Sequence, residues 1–382
     1  MLAKSMMGAG LLGIAAACSK LGWVLGITFS ILIPVISTVS MSLLARVALE
    51  TPATSGPATF YNMSNRILGK WPSVFIEIVL ILKTFGASIV YLQVAGDMLA
   101  LIIVSSSDQP LSISQANISR LVQVGLALVF YPFCLLRSIS KTFIINTIGI
   151  ACLLFITATS FIYFDPSGVQ PSPLWPQSVA GALSKIPVYL FAYCCHQNVF
   201  PIVDDIGKES AKMKKLNLVF TLASVTGFLV YTPVMVLPFI SFGTSVQDNF
   251  LRNLPPQDIV TKMAYIAASL SVSISFPLQV VPLRNAIIGL SNSKNEKLRI
   301  WIATAAVVAA LGIAVSGAPL GIVMAITGLI GGNTIVFLTP SWLYWKSHTK
   351  KSNSLLWISS WAIFVFSILL YPLCLVGIIL AK

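Results

Sequence analysis

Charge is what this chain most lacks. Of its 382 residues only 9% are Asp, Glu, Lys or Arg, and just 11 are acidic. A soluble domain carries about 25% charged residues to cover its surface. This chain has no such shell, so lipid must be most of its solvent. Histidine is almost absent, with only His196 and His348. No cluster of histidines and carboxylates has metal-ligand spacing, and no nucleophile has an evident base. An enzyme is therefore not expected, nor a metal, nor a cofactor. The six cysteines, Cys18, Cys134, Cys152, Cys194, Cys195 and Cys374, all lie inside or at the edge of apolar runs. None pairs up in a polar loop, which argues against a disulfide framework or a zinc site. No cleavable leader is evident, because the first apolar run continues without a processing site. No low-complexity linker divides the chain, and one domain is expected. The formal charge of +13 could suggest nucleic acid. It does not, because the basic residues sit at the ends of apolar runs rather than in one patch. A channel would need a repeated pore-lining ring, and none is visible.

What is abundant is apolar surface: 57% of residues are hydrophobic and the mean hydropathy is +0.90. A membrane-spanning helix needs about 20 mostly apolar residues. Such runs lie near 2–19, 23–46, 73–104, 118–136, 142–164, 182–203, 216–241, 259–283, 300–316, 319–343 and 354–381. The predicted architecture is an all-α membrane protein with eleven transmembrane helices. The third run, followed to 107, would reach about 52 Å at 1.5 Å per residue, so it must tilt or project beyond the hydrocarbon. All eight tryptophans lie near run ends, as expected of an aromatic belt at headgroup level.

Lys and Arg set the orientation. With the N-terminus in the cytoplasm, the loops on that side hold sixteen basic residues: Arg46, Arg66, Lys70, Arg137, Lys141, Lys208, Lys212, Lys214, Lys215, Arg284, Lys294, Lys297, Arg299, Lys346, Lys350 and Lys351. The opposite side holds five: Lys20, Lys185, Arg252, Lys262 and Lys382. This bias places the N-terminus in the cytoplasm and the C-terminus on the opposite side. One span more or fewer would scramble the alternation. Asn62-Met-Ser then faces the cytoplasm and Asn117-Ile-Ser the other side, next to the fourth helix.

Two spans contain features that a lipid-facing helix would not choose. The first carries Gly8, Gly10 and Gly13, each costing about 1 kcal/mol against alanine in a helix interior. They could serve close helix packing or let a ligand approach bare backbone. The sixth carries Pro187, then a polar stretch from Phe191 to Asn198 that includes His196, then Pro201. Polar groups in mid-membrane are expensive unless they face a cavity. His196 is either a ligand group or an interhelical hydrogen-bonder. Cys194 and Cys195 read best as small packing residues. A pair of interrupted spans at corresponding places in two halves points to an inverted-repeat transporter. Unwound backbone offers N–H groups to a carboxylate and C=O groups to an amine or cation, chemistry that suits a zwitterionic amino acid.

Other polar residues lie within the runs. Thr84, Ser88 and Tyr91 share one helical face, turned either to the cavity or to a neighbouring helix. Lys83 sits in the same run, near the inner interface or on a polar path. Glu77 is a candidate mate, although six residues put it on another face. Asp97, near the outer end of the run, reads as solvated. Ser271 and Ser275 share a face, Asn333 after Gly331-Gly332 is expected to line the cavity from the tenth run, and Asp204, Asp205, Lys208 and Glu209 cluster at the exit of the sixth run. No buried carboxylate or arginine stands ready to pair a charged substrate side chain, which favours neutral substrates.

At these residues the sequence resembles the amino acid/auxin permease family of the amino acid–polyamine–organocation superfamily. The likeness covers essentially the whole chain. MMGAGLLG (6–13) with KLGW (20–23) is similar to the family's first helix, and FAYCCHQNVFPIVDDI (191–206) to its sixth. SFPLQVVPLRNAI (275–287) resembles the eighth and NTIVFLTPSWLYWK (333–346) the tenth. The sixth-helix motif is nearest to fungal vacuolar amino acid transporters and sodium-coupled neutral amino acid transporters. The resemblance implies a LeuT-type fold: inverted five-helix repeats at about 1–164 and 182–346, plus an extra helix at about 354–381. It implies an amino acid bound where helices 1 and 6 unwind, facing helices 3 and 8, with transport by alternating access. The substrate contacts expected are Met7, Gly8, Ala9, Gly10, Leu11, Phe191, Tyr193, Cys195, His196, Thr84, Ser88 and Tyr91. In the sodium-coupled subfamily an asparagine four residues before the first glycine helps hold the ion. Here that position is Lys4, and the helix-8 hydroxyl matches Ser275, with Ser271 on the same face. An ammonium cannot share a small site with sodium, since unit charges about 4 Å apart repel by about 4 kcal/mol even at a dielectric of 20. Lys4 either replaces the ion, making a proton the expected coupling partner, or snorkels to the cytoplasmic face. The helix-6 likeness tilts the expected location toward a vacuolar or lysosomal membrane over the plasma membrane. An amino acid sensor on the same fold is the competing function. Only Met1 to Met7 precede the first break, a short start that argues mildly against signalling.

Overall fold

The computed structural model describes all residues except Met1, 52–58, 108, 110–111, 137–142, 207–212, 292–294, 349–354 and Lys382, together with the side chains of 143–145, Ser167, Asp204 and Asp205. The charge cluster expected after the sixth run, and the loop residues Arg137, Lys141, Lys212, Lys294, Lys350 and Lys351, lie outside the described residues. Among the described residues the fold is helical throughout, with no strand.

The chain opens with α1 (Leu2–Met6) and α2 (Gly10–Glu50), then α3 (Phe60–Ile67), α4 (Lys70–Ser105), α5 (Gln115–Cys134), α6 (Phe143–Ile162) and α7 (Val179–Ala192). It continues with α8 (Val199–Ile206), α9 (Met213–Phe242), α10 (Ile259–Ser291), α11 (Glu296–Val315), α12 (Leu320–Thr327), α13 (Thr339–Ser347) and α14 (Leu355–Leu380). A π-helical stretch, Gly328–Leu338, joins α12 to α13. Among the described residues nine helical segments are long and apolar enough to cross a membrane, and a shorter apolar helix covers Asn146–Ile162.

The longest segment is α2, with 41 residues. It is not one straight rod. Gly22 lies inside it at φ 73, ψ 173, a conformation that glycine alone adopts without strain. A Cβ there would also sit 2.7 Å from the backbone of Trp175. The helix therefore turns at Gly22 without a loop. The N–H groups that the turn orphans donate to another segment: Trp23 N to Pro173 O at 3.1 Å and Val24 N to Leu174 O at 3.0 Å. At the far end of α2, Glu50 pairs with His348, just past α13, at 2.8 Å.

Burial separates core helices from lipid-facing ones. In the most apolar windows of α4, of the α7–α8 segment, of α10 and of the α12–α13 segment, 67–72% of residues are buried. In α5, α11 and α14 the share is only 22–28%. The exposed residues of the outer helices are Leu, Val and Ile, such as Leu128, Val308 and Leu369, which suits a lipid solvent. α4 spans about 54 Å by rise per residue and packs along α10 through the middle of the molecule.

Arg284 is wholly buried. Its guanidinium donates to Cys134 O at 2.9 Å and Leu136 O at 3.0 Å, while Arg299 donates to Leu135 O at 2.7 Å. Two arginines thus satisfy the carbonyls that the end of α5 leaves unpaired. Asn333 is buried and donates to Ser367 O on α14 at 2.9 Å. It binds its neighbour helix and does not line a cavity, contrary to the sequence expectation.

Candidate functional site

The helix stops at Met6 and resumes at Gly10. Gly8 N turns back to Met6 O at 3.1 Å, and regular helix begins only past Ala9. The second interruption lies between α7 and α8, where Tyr193–Cys195 are non-helical and His196–Asn198 form a single 3-10 turn.

The two breaks touch. A Cβ on Gly10 would lie 2.6 Å from Ala192 Cα and 3.2 Å from Ala192 N. Only glycine permits that approach, because backbone cannot swing away as a side chain can. Gly13 is less tightly held: a Cβ there would meet the Met324 sulfur at 3.0 Å and Val188 Cγ1 at 3.6 Å. Packing is therefore the use of Gly10 and Gly13. Gly8 differs: a Cβ there would face the Tyr91 hydroxyl at 2.9 Å. Two polar links reinforce the contact. The Tyr231 hydroxyl on α9 lies 2.8 Å from Met6 O and 2.9 Å from Ala192 O, so one proton serves a carbonyl from each break. Asn198 Nδ2 donates to Ser5 Oγ at 2.5 Å. Tyr231 was not singled out from the sequence. Its signal was a phenol in mid-run, where a buried hydroxyl needs a partner.

Between the breaks and α4 lies a small cavity of about 20 Å³, bordered by Gly8, Ala9, Gly10, Phe191, Cys194, Lys83, Tyr91 and Gln279. Its volume suits a single water. Ala9 borders it, and the Ala9 N–H has no hydrogen-bond acceptor among the described residues. A wider cavity of about 200 Å³ shares Ser5, Tyr91 and Gln279 with it and extends past Lys4, Thr84, Asn146, Gln197, Asn198 and Ser275. Lys4 is buried and does not snorkel: its ammonium donates to Ser271 Oγ at 2.9 Å. Its stem crosses Gly149 of α6, where a Cβ would lie 2.1 Å from Lys4 Cε. Ser275 Oγ back-bonds to Ser271 O at 2.7 Å.

Of the expected substrate contacts, Gly8, Ala9, Gly10, Phe191, Thr84 and Tyr91 border these two cavities. Met7, Leu11, Ser88, Tyr193, Cys195 and His196 border neither. Ser88 donates to Thr84 O, and Cys195 packs on the Met41 sulfur at 3.6 Å. Tyr193 stacks edge-on against Tyr231 with centroids 4.9 Å apart. His196 points to α2: Nε2 lies 2.7 Å from Ser40 Oγ and 3.2 Å from Ser37 O. His196 is thus the interhelical hydrogen-bonder of the two readings. Lys83, Cys194, Ser5 and Gln279 border the small cavity without having been expected there.

On the far side of the breaks a larger polar recess holds two ion pairs, Arg252–Asp97 at 2.9 Å and Lys185–Asp248 at 2.7 Å. Asp97 also accepts from Ser119 Oγ at 2.7 Å, so it is paired rather than simply solvated. Asp248 also accepts the Gly321 N–H in the first turn of α12, at 3.1 Å, where a carboxylate is favoured by the helix dipole.

The family model described as "Transmembrane amino acid transporter protein" matches residues 1–380. This chain belongs to that family. Among its relatives, vacuolar amino acid transporter 5 of Schizosaccharomyces pombe is 26% identical over 92% of this chain and 84% of its own length. Vacuolar amino acid transporter 6 of Saccharomyces cerevisiae is 24% identical over 75% of this chain and 64% of its own. Solute carrier family 38 member 8 of Mus musculus is 27% identical over 72% of this chain and 64% of its own. All three alignments leave part of the relative unmatched. This transmembrane amino acid transporter family is one of transport, not catalysis, in accord with the expectation from the sequence.

Proposed function

We propose that the chain is a secondary transporter that moves amino acids across a membrane by alternating access, coupled to protons rather than sodium. The observation that carries this is the direct contact of two interrupted helices at Gly10 and Ala192, with a cavity beside it. Interrupted helices meeting at mid-membrane are how transporters present bare N–H and C=O groups to a zwitterion. The Ala9 N–H, unpaired at the start of α2, would receive the substrate carboxylate. Eleven spans are the natural count. The nine long segments become ten when α2 is divided at Gly22, and α6 makes eleven. A LeuT-type pair of inverted repeats follows if α1 with the first part of α2, and α7 with α8, are the equivalent broken helices.

Lys4 supports the choice of ion. Its ammonium on Ser271 occupies the place where the sodium-coupled relatives would need an uncharged oxygen ligand. A cation built into the chain does there what a bound ion does elsewhere. The N-terminus is placed in the cytoplasm and the C-terminus opposite, in a vacuolar or lysosomal membrane. The test is uptake of a panel of amino acids into proteoliposomes, with and without a pH gradient and with and without sodium. Uptake driven by the pH gradient and indifferent to sodium is expected. Uptake that requires sodium would overturn the ion assignment. Binding without flux would favour the sensor.

A further inference from the structure

Lys83 stands out among the groups that the site so far leaves unused. It lies within α4, about 20 Å from the helix start at Lys70 at ~1.5 Å per residue, too deep for the side chain to snorkel out. It is 4% exposed and borders the small cavity at the two breaks. Its ammonium makes no hydrogen bond and no ion pair among the described residues. Glu77, buried on the same helix, is not its mate. The stem is held in place by Gly331, where a Cβ would lie 2.3 Å from Lys83 Cβ. The π-helical segment thus gives up a side chain so that this lysine can reach the cavity.

A buried ammonium without a partner is costly, and such a group normally pairs with another or marks a substrate path. Among the described residues no carboxylate borders either cavity, whereas two lysines do, Lys83 and Lys4. Lys4 is bonded to Ser271; Lys83 is not bonded. A neutral amino acid would bring one carboxylate and one ammonium, and its carboxylate is already provided for at the Ala9 N–H. That leaves Lys83 uncompensated. The expectation of neutral substrates rested on the lack of a buried carboxylate or arginine, and it left Lys83 out of account.

We infer that Lys83 receives a second anionic group, and that the preferred substrate is an amino acid with an acidic side chain. The inference rests on the transport reading above. The small cavity has room for one water only, so the substrate enters through the wider cavity, and the region between Tyr91 and Gln279 widens around it.

The test compares uptake of labelled glutamate and aspartate with that of glutamine and asparagine in proteoliposomes bearing a pH gradient. Wild type is expected to take the acids with at least tenfold lower KM than the amides. Lys83→Gln should erase that preference by raising the KM for the acids at least tenfold more than that for the amides, and Lys83→Arg should retain it. Melting of the detergent-solubilised variants establishes that they fold. Should Lys83→Gln not fold, the wild-type preference and the Lys83→Arg variant still decide. Equal uptake of acids and amides by wild type, or a preference that Lys83→Gln leaves intact, overturns the inference and spares the transport reading. Absence of flux and of stabilisation by any amino acid overturns both.

Discussion

Replacing Tyr231 with phenylalanine removes one oxygen from the point where the two interrupted helices meet. That oxygen supplies the only proton between Met6 O and Ala192 O, at 2.8 and 2.9 Å, in a place where Tyr231 itself is 1% exposed. The ring and its edge-on contact with Tyr193 survive the change, so the loss is confined to the hydrogen bond. Met6 O keeps the Gly8 N–H at 3.1 Å, so the loss falls on Ala192 O, and a buried acceptor stripped of its donor costs about 1–3 kcal/mol. Where the loss falls is the informative part. If the link persists through the transport cycle, it lowers the melting temperature by a few degrees and leaves the kinetics alone. If it forms in only one conformation, it shifts the balance between conformations by about 5–150-fold, read as a change in KM or kcat. Thermal unfolding in detergent and uptake in proteoliposomes distinguish the two. Thr226→Val is the control, since it removes a lipid-facing hydroxyl that only back-bonds to Leu222 O on the same helix. A Tyr231→Phe protein that matched wild type in melting, KM and kcat would refute the claim that this hydroxyl ties the breaks together.

Gly10→Ala should destabilise by about 1–3 kcal/mol through overpacking against backbone, seen as earlier melting and reduced uptake. Gly8→Ala meets only the tip of Tyr91 and should melt near wild type while its KM rises. Lys4→Ala should abolish the response of uptake to a pH gradient while exchange of internal for external substrate continues; an unchanged pH response would remove Lys4 from coupling. Arg284→Lys should lower stability by about 2–4 kcal/mol, because an ammonium cannot span Cys134 O and Leu136 O as a planar guanidinium does. Melting that the lysine fully restored would show that charge alone matters there.

Helix positions were legible from the sequence because a bilayer demands long apolar runs. The breaks were legible because glycine and polar residues are costly in such runs. What the breaks face was not. An interrupted helix has no regular face, so His196 could not be assigned to α2 rather than to the cavity, and Tyr193 and Cys195 shared its fate. Spacing along α4 grouped Thr84, Ser88 and Tyr91, of which Thr84 and Tyr91 border the wider cavity and Ser88 does not, and Lys83, one residue from that stripe, was noted but not joined to the cavity. Its route past Gly331 depends on a π-helical segment that leaves no periodic mark. Lys4 was flagged by its offset from the glycines, yet only the path across Gly149 distinguishes a buried ammonium from a snorkelling one.

The turn at Gly22 has a mechanical consequence. With no loop to flex and its freed N–H groups fastened to Pro173 and Leu174, the stretch from Gly10 to Glu50 behaves as a single bent lever. Its short arm ends against Ala192, and its long arm ends at the Glu50–His348 pair. The first break and the Glu50–His348 pair are therefore the two ends of one helical stretch whose only non-helical residue is Gly22.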